Sequence, residues 1–167
     1  MRGKSIVAAF VLTIGMAGAA QAQSPTPMGE FNRWFAFNYK AANGKVCYAL
    51  TAPTDKKPEN VDHGDNFFIV SHKPGQNITL EPQFMAGYEL NPNSKVTVTI
   101  GKRSFSMFVN GKSGWMENAA EEPQLIAAMR NGAEMQVSAQ SKRGTKTSYT
   151  YSLKGVSAAL AAIQKCK

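Results

Sequence analysis

The chain has 167 residues, 43% of them apolar and 18% charged, with 19 Lys+Arg against 11 Asp+Glu and two Cys. That composition excludes a disordered chain, and the length fits one domain around a single core. Two cysteines are too few for a disulfide-built miniprotein or a four-thiolate zinc site, and the formal net charge of +8 favours anionic partners.

Residues 1–22 read as an export signal. Arg2 and Lys4 give the positive start, residues 6–14 are an apolar run, and Ala20-Gln21-Ala22 is an A-x-A cleavage site that leaves Gln23 first. The alternative is a retained anchor, but this run is much shorter than the roughly 20 residues that span a bilayer. No later run approaches that length, so no transmembrane segment is expected. Cleavage removes two cations and no acid. The location implied is the periplasm or the outer-membrane surface.

Residues 23–30 contain two prolines and are expected to be a flexible leader to a domain at 31–167. Phe31, Phe35, Phe37 and Tyr39 then alternate with Trp34 and Ala36, the period of a strand. Asn43-Gly44 is a hairpin turn, followed by a strand at 45–51 that places Val46, Tyr48 and Leu50 on one face and Cys47 and Ala49 on the other. Residues 52–66 read as a polar loop and 67–71 as a strand. Pro82 and Gly87 interrupt 77–90, which reads as one irregular or edge strand. Strands at 95–100 and 105–109, and a turn at Asn110-Gly111 leading to Trp115, form an antiparallel meander.

At 121–130 the period changes. Leu125, Ile126 and Met129 share a helical face, with Glu121 and Glu122 in the first turn and Arg130 in the last; Asn131-Gly132 stops the helix. Met135, Val137 and Ala139 alternate again, as do Thr147, Tyr149, Tyr151 and Leu153, with a turn at Lys142-Arg143-Gly144. The last segment, 157–165, reads as a helix with Leu160 and Ile163 inward.

Few residues suggest chemistry. In an oxidising compartment Cys47 and Cys166 are expected to pair, closing a loop of about 120 residues that the chain-entropy model values at roughly 5 kcal/mol as an upper figure. The other possibility is two unpaired thiols. His63 and His72 lack further ligands at useful spacing, so no metal site is expected, and they read as surface residues. Glu117, Glu121 and Glu122 suit a helix entry better than an acid/base pair. After Glu134 there is no acid, whereas Lys142, Arg143, Lys146, Lys154, Lys165 and Lys167 follow. Lys142, Arg143 and Lys146 are therefore the candidate contacts to an anionic partner. No nucleic-acid motif is present.

The residues together resemble a known family. Asn118-Ala119-Ala120-Glu121-Glu122, Leu125-Ile126-x-Ala128-Met129-Arg130-x-Gly132, Arg143-Gly144-Thr145 and Tyr151-Ser152-Leu153-Lys154-Gly155 are similar to the tail of the invasion-associated locus B family of alphaproteobacteria. So are Trp34, Lys45-Val46-Cys47-Tyr48-Ala49-Leu50 and Val96-x-Val98-x-Ile100-Gly101, and the resemblance spans about residues 31 to 166. It implies an exported β-sandwich-like domain, linked in pathogenic members to host-cell invasion, with no catalytic residues to carry over. Many members have a Cys a few residues after the tryptophan; here Asn38 stands there, leaving Cys166 as the partner of Cys47.

The expected fold is a mainly β domain, an antiparallel sandwich or strongly bent sheet with two short helices, the first covering one open end. The expected function is non-enzymatic: an envelope or surface protein that binds an anionic envelope or host component (lipid, glycan or protein), with no cofactor. The alternatives are a structural envelope factor without a ligand and an envelope hydrolase. A concave pocket holding His63 or His72 beside a carboxylate would favour the hydrolase.

Overall fold

The computed structural model describes residues 24–167, so the export signal and its cleavage point lie outside the described residues. The strands are β1 (Thr26–Phe31), β2 (Trp34–Ala41), β3 (Gly44–Thr51), β4 (Asp55–Lys57), β5 (Phe67–Lys73), β6 (Ile78–Met85), β7 (Lys95–Ile100), β8 (Arg103–Asn110), β9 (Ser113–Met116), β10 (Glu134–Gln140) and β11 (Lys146–Ser152). The helices are α1 (Glu122–Asn131), between β9 and β10, and α2 (Val156–Ile163), after β11. All strands join one sheet in the order β1-β2-β3-β5-β6-β9-β8-β7-β10-β11-β4.

The sandwich expected from sequence is realised as this one antiparallel sheet bent back on itself. Phe68 of β5 meets Tyr151 of β11 with ring centroids 6.1 Å apart, and Phe84 of β6 meets Tyr149 at 5.6 Å. Trp34 Nε1 donates to the Ser152 carbonyl at 3.1 Å, joining β2 to the end of β11. The core between the layers is built by alternation: Trp34 and Ala36, Cys47 and Ala49, Phe68 and Val70, Val96 and Val98, Met135 and Val137 are all buried.

The outward faces of the two layers differ sharply. On one, cross-strand partners run Phe35–Leu50–Ile69–Gln83–Trp115–Phe108 across six strands. On the other the partners are Thr97, Ser138 and Ser148, with Thr99, Gln136 and Thr150 beside them. Solvated sheet faces are normally polar, and only the second obeys that pattern.

Two sequence expectations are corrected. The leader at 23–30 is not flexible over its length: Thr26–Phe31 is a strand paired along β2. Its order comes from the ladder to β2 and from Met28 and Phe31 packing against the core, which no local pattern reveals. The polar loop at 52–66 contains β4, paired to β11 through Ser148↔Lys57 and Thr150↔Asp55. Its charged sequence suits an edge strand. The interrupted stretch at 77–90 holds the irregular strand expected: β6 shifts register against β5 between Ser71 and Lys73, and Leu80 takes φ +59°. Pro82 is tolerated because β9 pairs only with residues 83–85, leaving the proline on an unpaired part of that edge.

Both helices bury the faces read from sequence: Leu125, Ile126, Ala128 and Met129 in α1, and Val156, Ala159, Leu160 and Ile163 in α2. Arg130 Nη2 donates to Gln164 Oε1 at 3.3 Å, linking α1 to the end of α2. Gly155 starts α2 with φ +92°, and a Cβ there would lie 2.0 Å from the Phe31 carbonyl oxygen. Only glycine fits that close approach of α2 to β1.

Candidate functional site

The β10–β11 hairpin carries the cations singled out in the sequence. Its strands pair from Glu134↔Ser152 to Gln140↔Lys146. The turn is closed by Gly144 N–H donating to the Ser141 carbonyl at 2.8 Å and Ser141 N–H to the Thr145 carbonyl at 2.9 Å. Lys142 N–H donates to the Glu89 carbonyl at 2.8 Å, clamping the turn onto the segment before β7. This places Lys142 and Arg143 on the rim of a pocket of about 510 Å³ with Asp62, His63, Tyr88 and Glu89.

Lys146 is not brought to that pocket. It lines a separate cavity of about 720 Å³ with Lys57 and Lys95. Outward and inward positions alternate along β11, so the cation that starts the strand and the two in its turn need not share a wall. No ion pair among the described residues involves Lys142, Arg143 or Lys146.

Under the pocket lies a chain of hydrogen bonds. His63 Nε2 is 2.8 Å from the Pro58 carbonyl, and Nδ1 is 2.9 Å from the Tyr149 hydroxyl. The Tyr149 hydroxyl is 2.8 Å from that of Tyr88, and Tyr88 is 2.6 Å from Thr147 Oγ1, which donates to the Ala139 carbonyl at 3.3 Å. His63 is 6% exposed, which corrects its reading as a surface residue. His72 is half-buried, beside Cys47 in register, and its Nδ1 has no partner among the described residues. Sequence reading missed this network. The available signal was Tyr149, an inward position whose hydroxyl needs a partner when buried.

The pocket does combine His63 with carboxylates, the arrangement named above as favouring a hydrolase. The imidazole, however, is spent on structure. The Pro58 carbonyl requires a proton on Nε2, and Nδ1 is engaged by Tyr149, so neither nitrogen faces the pocket as a free base. Among the described residues no three His, Cys, Asp or Glu gather as a metal-ligand set.

Burial raises the Tyr149 phenol, and its hydrogen bond to Tyr88 adds to the effect. Burial likewise raises Tyr151, with the neighbouring Tyr149 adding to it. Unfolded, both would ionise near pH 10. The folded state therefore keeps protons that the unfolded chain releases above about pH 10, and stability falls as pH rises beyond that point. Alkaline unfolding followed by tyrosinate absorbance should show these two phenols ionising together with loss of structure. Their ionisation within the folded protein near pH 10 would contradict this account.

The disulfide expected from sequence is formed. Cys47 and Cys166 make a disulfide with Cα atoms 6.2 Å apart, so the end of the chain lies against β3. Asn38 is the register partner of Cys47 on β2.

These features define a class: a small basic domain made of one antiparallel sheet wrapped around its own core, with its C-terminal helix tied to that core by a disulfide. The family model described as invasion associated locus B (IalB) protein matches residues 34–164, and the chain belongs to that family. The fold is similar to the crystal structure of invasion associated protein B from Bartonella henselae. The identity is 13% and the TM-score 0.55, over 82% of this chain and 97% of that one. No curated protein matches the chain.

Proposed function

We propose that the protein is exported and works in the periplasm or on the outer-membrane surface, where it binds an anionic envelope or host component without catalysing a reaction. The observation that carries this reading is the tail hairpin: Lys142 and Arg143 in its hydrogen-bonded turn and Lys146 at the start of β11 are exposed and free of ion pairs among the described residues. Unneutralised cations on an ordered element attract anionic surfaces. The engagement of both His63 nitrogens supports a binding rather than a hydrolytic role. No helix among the described residues is long and apolar enough to cross a membrane.

Co-sedimentation with outer-membrane fragments of the bacterium that makes the protein tests the proposal. Binding should weaken as salt rises above about 0.15 M, where exposed charges are screened beyond about 8 Å. Replacing Lys142, Arg143 and Lys146 together with Ala should weaken it by about tenfold. Absence of binding would favour a structural envelope role without a ligand, and equal binding by the variant would remove these three residues from the contact.

A further inference from the structure

At the opposite end of the β10–β11 hairpin from its turn lies a wider cleft, about 1120 Å³ in volume. Four cations reach it from separate segments. Arg33 comes from the turn between β1 and β2, Lys102 from the turn between β7 and β8, Arg103 from the start of β8, and Lys154 from the link between β11 and α2. The single acid on its walls is Glu134. None of the four cations is in an ion pair among the described residues.

The contrast with the hairpin pocket is one of balance. There, Asp62 and Glu89 share the walls with Lys142 and Arg143 without forming ion pairs with them, two acids beside two cations. In the cleft four positive charges meet one negative, and a concave wall concentrates their field. Part of that charge complements the C-terminal end of α1, whose residues Ala127, Ala128 and Asn131 form one wall. One helix end carries only about half a negative charge, so several positive charges remain without a counterpart.

Arg103 is preorganised. Its Nη2 donates to Gln124 Oε1 at 3.0 Å, and its guanidinium lies 5.3 Å from the centroid of the Phe105 ring. Arg33, Lys102 and Lys154 are exposed and free to turn inward. The floor includes Ile100 and Ala128, both buried. A cleft of this size accepts a ligand far larger than one inorganic ion.

We infer that this cleft, framed by Arg33, Lys102, Arg103 and Lys154, binds a saccharide that carries two or more oxyanion groups: phosphate, sulfate or carboxylate. The cations hold the charged groups, and the Ile100–Ala128 floor takes the apolar face of a sugar ring. Such groups occur on free glycans and on lipid headgroups, and both are accommodated by the same four side chains. The inference shares with the proposed function only the negative charge of the partner.

The test uses the full mature protein and two probes: a hexasaccharide bearing sulfate and carboxylate groups, and phosphatidylcholine vesicles containing phosphatidylglycerol. Two variants lose the same number of charges. One replaces Arg33, Lys102 and Lys154 with Ala; the other replaces Lys142, Arg143 and Lys146. All six side chains are exposed, so both variants should fold, which circular dichroism checks. The cleft variant should bind the hexasaccharide about tenfold more weakly than the hairpin variant. Vesicle binding with the same ranking, and no binding of the hexasaccharide, would place lipid phosphate rather than a saccharide on these cations and would overturn the saccharide assignment. Equal losses in both variants would mean attraction to net charge alone and would overturn the cleft. So would loss confined to the hairpin variant, which leaves the proposed function standing, or no binding of either probe.

Discussion

Replacing Cys47 and Cys166 with Ala is expected to lower the stability of the folded protein by about 3–5 kcal/mol. The bond joins positions separated by 119 residues, so its loss frees nearly the whole chain in the unfolded state. It also releases α2, which has eight residues and is too short to persist in water unaided. The apolar face of Val156, Ala159, Leu160 and Ile163 holds the helix only while it stays against β1, β2 and β3. Thermal unfolding of the oxidised protein and the double variant measures the difference. A single Cys166→Ala change should give nearly the same loss and make the C-terminal segment sensitive to protease first. A melting temperature unchanged by removal of both thiols would refute the structural importance of the bond.

Truncating Trp34 to Ala should cost about 3–5 kcal/mol. The indole is fully buried, and its N–H donates to the Ser152 carbonyl across the fold. It acts where β2 and the end of β11 approach each other without pairing, so side-chain contact holds them there. Trp34→Phe retains most of the apolar volume and removes the donor, so it should cost a smaller amount, about 1 kcal/mol, from the lost hydrogen bond to the Ser152 carbonyl. The two variants separate packing from hydrogen bonding. Denaturant midpoints provide the measure, and a loss below about 1 kcal/mol for Trp34→Ala would show that the layers close without this contact.

Much of the fold is legible in local pattern. Alternation at 45–51, 95–100 and 135–139 places the observed core residues, and the change of period at 121–130 locates α1 within one residue at each end. What could not be read was structure that depends on a distant partner. β1 has no strong alternation of its own and is ordered by its register with β2. β4 is three charged or polar residues that count as a strand only because β11 lies alongside. The candidate site divides in the same way. The disulfide followed from two cysteines in a chain whose first residues read as an export signal. The burial of His63 did not follow from its neighbours, because Tyr149 and Tyr88 are 86 and 61 residues from their partners in the hydrogen-bond chain. The Arg33–Lys154 cleft was hidden for the same reason, since its cations are scattered along the chain and converge only when the sheet bends.

The row from Phe35 to Phe108 gives one outward face an apolar stripe that the other face lacks. Phe35 and Phe108 are 38% and 46% exposed at the two ends of the apolar row, and Trp115 lies next to Phe108. Electrolyte acts on such a molecule in opposing senses. Screening weakens what the cations hold, while excluded salts such as sulfate strengthen apolar association. At low ionic strength the charged end and turns dictate how the protein settles on a surface; in concentrated sulfate the row from Phe35 to Phe108 does. Adsorption to an anionic surface is therefore expected to fall first and rise again as sulfate is increased.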